Sequence, residues 1–179
     1  TKGYMTRIAE KLPHMKYINK GYNGWTAVRI AEEIESLNLT EADVYSVFLG
    51  TNDWWHGQPL GTIDDYENNT GNGTFFGAYR TIINKLEKLN KDARIILITP
   101  MQRGDFVQIG NLKNNAYGSY RQKDGQALEA FANAVMTLVT PGPAVTSATP
   151  ALPVTRAMPS AACPALASCR TSTTRMPSS

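Results

Sequence analysis

The first 135 residues of this 179-residue chain contain no cysteine; Cys163 and Cys169 both fall in the last 44. No Cys/His pattern with zinc spacing occurs, so no zinc centre is expected. No run of about 18 apolar residues exists, which excludes a hydrophobic helical membrane span. An excess of one charge is missing as well. Residues 1–135 hold 15 Lys and Arg against 15 Asp and Glu, and the formal +3 comes from Arg156, Arg170 and Arg175 in the tail. A balanced first part argues against nucleic acid as partner, because phosphate binding needs clustered positive surface. The sequence starts at Thr1 with no initiator Met and no signal peptide, so a fragment or processed form is expected. Compartment and oligomeric state stay open, with secretion or a periplasmic location as the expectation for a full-length form.

A second set of absences divides the chain. From Met136 onward there is no aromatic, Lys, Ile, Asn, Asp, Glu or His, while 7 of the 10 prolines lie there. Ala, Thr, Ser and Pro fill 29 of those 44 positions. Such a stretch buries too little apolar surface to offset its ordering entropy. The expected division is therefore a folded domain over 1–135 and a tail over 136–179 that is either a disordered linker or an out-of-frame translation.

The first part alternates strand-like and helix-like segments. Residues 4–12 form an amphipathic helix with Tyr4, Ile8 and Leu12 on one side, and 15–19 a short strand. Val28, Ala31, Ile34 and Leu37 step by three and predict one helix across 25–37. Residues 44–49 and 94–99 read as buried strands, the second halted by Pro100. Phe75, Tyr79, Ile82, Leu86 and Leu89 step by four and three, which predicts a long helix capped by Thr74. Leu128, Phe131 and Val135 mark a last helix. Apolar strands separated by amphipathic helices imply an α/β fold, a three-layer sandwich around a central parallel sheet. In such folds ligands bind where strands end and loops lead into helices. Function is then expected just after Asn19, Leu49 and Thr99.

Two turns at those places carry chemistry. Residues 19–26, NKGYNGWT, follow the first of these strands, and Gly50-Thr51-Asn52-Asp53 follow the next. A Gly backbone N–H and an Asn amide are neutral donors that can together hold the oxyanion of an acyl-transfer transition state. These blocks resemble two of the four short motifs of the GDSL/SGNH serine ester hydrolases. The resemblance covers roughly residues 1–135 and implies a flavodoxin-like hydrolase fold. It gives the oxyanion-hole roles to Gly24 and Asn52; Asn23 stands where the family usually has Ser. The family's Gly-Asp-Ser turn, which carries the nucleophile, has no counterpart before the first helix. The tail holds neither Asp nor His, so the late Asp-x-x-His block is missing too.

Asp53-Trp54-Trp55-His56 has the Asp-x-x-His spacing, but its Asp already closes the earlier block, so His56 is read as a cleft-mouth or exposed residue. Asp53 is expected to brace its loop through backbone N–H groups. Trp54 and Trp55 are either packing residues or a platform for an acyl chain or sugar face. Arg103, after the strand ending at Thr99, either meets an acidic substrate or is solvated. The loop from Trp55 to Gly73 is long enough to serve as a substrate lid. The resemblance implies hydrolysis of small carboxylic esters, on acyl lipids or acylated carbohydrates, without a metal or organic cofactor; the chain as given is expected to have little or no activity. The alternative from a different class is a non-catalytic α/β module that binds a small ligand in the same cleft.

Overall fold

The computed structural model describes residues 3–101 and 125–139, together with the backbone of four short strands at 108–109, 112–113, 145–148 and 166–171. The elements are α1 (Tyr4–Lys11), β1 (Met15–Asn19), α2 (Ala27–Glu32), β2 (Val44–Phe48), α3 (Thr51–His56), α4 (Ile63–Glu67), α5 (Phe75–Leu89) and β3 (Arg94–Ile98). They continue with β4 (Gln108–Ile109), β5 (Leu112–Lys113), α6 (Leu128–Thr137), β6 (Val145–Ala148) and β7 (Leu166–Thr171).

The main sheet has the order β1-β7-β2-β3-β6. Strands β2 and β3 pair in parallel from Val44 opposite Arg94 to Phe48 opposite Ile98, and β6 continues the parallel set beside β3. Strand β7 runs antiparallel to both β1 and β2. It follows that β1, β2, β3 and β6 all point one way, and that the loops after β1, β2 and β3 emerge at one edge. The expected α/β architecture with a parallel sheet is the one observed, with β7 as the reversed member. Both β6 and β7 come from the compositionally distinct segment after Met136; apart from these strands and residues 137–139, that segment lies outside the described residues.

One face of the sheet is deeply buried. Tyr45, Val47, Ile95 and Leu97 point into a core shared with Ile30, Ile82, Ile83, Leu86, Phe131 and Val135 from α2, α5 and α6. The other face is thinly covered among the described residues. Helix α1 lies across it, with the Tyr4 hydroxyl 3.2 Å from Ser46 Oγ and the Tyr4 ring edge-on to Phe48. No residue of α1 is buried, and Ile8 and Leu12 remain exposed.

Helix α5 is the one its spacing predicts, and Thr74 Oγ1 accepts from the Gly77 N–H at 3.2 Å as its cap. Helix α2 is a correction. It stops at Glu32, although Ile34 and Leu37 stay buried beyond it. The Ser36 N–H bonds the carbonyl three residues back at Glu33, and the Ser36 hydroxyl bonds the same oxygen. Side-chain competition for that carbonyl tightens the chain into turns that keep the same face inward. The insertion between α3 and α5 is also no free flap. The Phe75 and Phe76 N–H groups donate to Pro59 and Leu60 carbonyls at 2.8 and 3.2 Å. A Cβ on Gly77 would strike the Gly71 carbonyl, so the insertion and α5 approach at backbone distance.

Candidate active site

Three strand-end loops meet at one edge of the sheet. After β2, Gly50 takes φ +117°, a conformation suited to glycine, and starts α3. A Cβ there would lie 2.7 Å from Pro100 Cγ and 3.4 Å from the Phe75 ring, so Gly50 is the point where the loops after β2 and β3 touch. After β1, the Asn19 Oδ1 accepts from the Gly21 N–H at 2.8 Å and turns the chain. Gly24 follows at φ +77°, exposed, with nothing within 4 Å of where a Cβ would project. Among the described residues its N–H has no hydrogen-bond partner. Thr26 then caps α2, its Oγ1 accepting from the Arg29 N–H at 3.1 Å.

Two side chains from α3 cross to this turn. Asn52 Nδ2 donates to the Trp25 carbonyl at 2.8 Å. An amide carries two hydrogens, and this bond uses one of them. Asp53, fully buried, accepts the Ala27 N–H on both oxygens at 2.9 and 3.0 Å. Burial pushes its carboxyl up to about 6, while the N–H groups of Ala27, Asp53, Val28 and Gly50 pull the other way. The Tyr79 hydroxyl sits nearby, 3.5 Å from the Leu49 carbonyl to which it donates. Burial, then the Asp53 charge, push that phenol above its ordinary value.

The structure thus brings Gly24, Asn52 and Asp53 together. Trp54 is placed elsewhere: it has no exposed surface and belongs to the core, so the substrate-platform reading does not apply to it. The reason is helical geometry, which turns successive residues about 100° apart. Trp55, next in line, is 42% exposed and meets Trp54 edge-on. His56 ends α3 and is exposed. His14 is exposed at the opposite end of β1. Ser36 lies after α2, and Ser46 lies inside β2. No described serine or histidine other than His56 therefore stands at the loop edge. Arg103 lies outside the described residues.

An aromatic column beside Gly24 escaped the motif reading. Tyr22 and Trp25 stack with centroids 4.5 Å apart, and the Arg29 guanidinium lies 4.2 Å over the Trp25 ring. The spacing of Trp25 and Arg29, four residues apart across a helix start, is the signal that points to it.

The sequence matches the model of the GDSL-like lipase/acylhydrolase family over residues 1–159. The chain belongs to that family. A solved structure described as a possible lipase from Chitinophaga pinensis DSM 2588 is 61% identical, with a TM-score of 0.67. The alignment covers 77% of this chain and 54% of that one, so the chain spans about half the length of that relative. A Lactobacillus plantarum protein is 22% identical with a TM-score of 0.46, over 61% of this chain and 47% of its own. No curated protein matches. The lipase/acylhydrolase family hydrolyses esters, and the match extends past Met136 into the segment set apart by composition.

Proposed function

We propose that this chain carries the oxyanion-binding half of a serine ester hydrolase acting on small carboxylic esters, on acyl lipids or acylated carbohydrates. The N–H of Gly24 and the second amide hydrogen of Asn52 would hold the oxyanion that forms when a serine attacks the ester carbonyl. Asp53 would brace the turn behind them, and Trp55 and His56, with Arg103 if it reaches the same edge, would border the substrate. The observation that carries this reading is the Asn52–Trp25 bond, which sets the amide beside the residue following Gly24. Such donors act on charge that develops only in the transition state, so they raise kcat more than they tighten substrate binding. Among the described residues, no serine and no histidine other than His56 stands at this edge to attack the ester or take the serine proton. We read the chain as given as turning over little or no ester.

Assay of this chain with p-nitrophenyl acetate tests that statement. Turnover blocked by a serine-directed fluorophosphonate would overturn it. A chimera that keeps residues 3–135 and takes its flanks from the Chitinophaga pinensis protein tests the oxyanion roles. In an active chimera, Asn52→Ala should lower kcat by roughly 10²–10³-fold at unchanged KM. An unchanged kcat would remove Asn52 from the chemistry.

A further inference from the structure

Asp53 does more than close its own turn. Its two oxygens take the first N–H of α2, at Ala27, while Gly50 and Asp53 N–H groups of the α3 turn lie against the same carboxylate. The carboxylate is therefore the point at which the starts of two helices meet. One residue earlier, Asn52 holds the Trp25 carbonyl. The two tethers have opposite polarity, one gripping a C=O and the other an N–H, and they are two residues apart on the segment that leads into α2. A pair of that kind fixes rotation as well as distance. Gly24 lies one residue outside the grip, and its open side touches nothing within 4 Å.

We propose that Asp53 is a positioning residue that aims the Gly24 N–H at the point served by Asn52, by clamping residues 25–27 to the start of α3. The proposal rests on the oxyanion reading above for its purpose, but its geometry can be tested without a substrate. The titratable group facing Asp53 from α5 is Tyr79. Those on the other packed helices, Arg29 and Glu32 on α2 and Glu129 on α6, are exposed, as is His56 on α3 itself. Burial holds the Asp53 carboxyl at about 6, so the clamp changes from charged to neutral within an accessible range of pH. Hydrogen bonds to a charged acceptor are the stronger ones, and the turn should loosen on protonation.

The test is a ¹⁵N–¹H titration of the full chain from pH 4.5 to 8. The Ala27 N–H, the Gly24 N–H and the Asn52 side-chain amide should shift together with one midpoint near 6. All three shifts should vanish in Asp53→Asn, with slow exchange of the Ile82 and Leu86 amides showing that α5 is intact. A titrating Ala27 with a silent Gly24 would reduce Asp53 to a cap for α2 and overturn the proposal. So would Gly24 shifts that persist in Asp53→Asn. Should that variant not fold, the titration of the unsubstituted chain decides alone. These resonances need no ester, so a failure of the hydrolase reading and a failure of the clamp are separate results.

Discussion

The cleft floor and the insertion at 57–74 are both held by carboxylates, and they differ in what the carboxylate is asked to do. In the insertion, Asp65 accepts from the Thr62 N–H at 2.8 Å and from Thr70 Oγ1 at 2.8 Å, closing the capping box of α4. The Thr62 bond, more than any other cause, holds the Asp65 carboxyl below the ordinary range. Every partner, Thr74 included, lies within nine residues, and the group is partly open to water. On the floor, Asp53 reaches 26 residues back in sequence to Ala27 and is shut away from water. A local, solvated network shapes its own loop and can be replaced by water. A buried, long-range one couples two loops, and nothing substitutes for it.

The comparison can be broken first at the adjacent tryptophans. Trp54→Ala should cost about 3–5 kcal/mol by emptying a core site, while Trp55→Ala should cost under ~1 kcal/mol; equal losses in urea midpoints would show that both pack alike. Next is the pH dependence. The Asp53 carboxyl rises from 3.8 to about 6 on folding, so the folded chain binds the proton more tightly. Stability should then fall as pH climbs from about 4 through 6 and level off above 7. The contribution is about 3 kcal/mol at ~1.36 kcal/mol per pKa unit. It is read as the difference between the pH–stability curves of the parent and Asp53→Asn, and a flat difference would contradict it. Thr74→Ala should remove about 1 kcal/mol through loss of the α5 cap, measured by denaturant unfolding. Smallest is Asp65→Asn, whose Tm shift should be less than that of Thr74→Ala; a larger shift would mean that the carboxylate, and not the backbone contacts to α5, carries the docking of the insertion.

The elements that could be read in the sequence are those whose signal is carried by side chains alone. The 15–19 strand, the two later strands and α5 with its Thr74 cap follow from apolar spacing and one hydroxyl. The extent of α2 did not, because Ile34 and Leu37 are buried whether the chain continues as helix or as turns. At the site, motif spacing located Gly24, Asn52 and Asp53. It was silent on their partners, since a Trp25 carbonyl and an Ala27 N–H are backbone groups that every residue possesses. Trp54 and Trp55 are identical letters side by side, and only the direction in which α3 leaves the sheet separates core from rim.

Strand β7 gives this arrangement a further meaning. Because it stands between β1 and β2, those two strands are second neighbours, with their ends roughly 10 Å apart at about 4.8 Å per strand spacing. Turns rooted that far from one another would leave an open trough. The polar cross-links from α3 draw the near rim of one turn over to the other. The two loops are thereby held as one unit, although the strands they leave are not neighbours in the sheet.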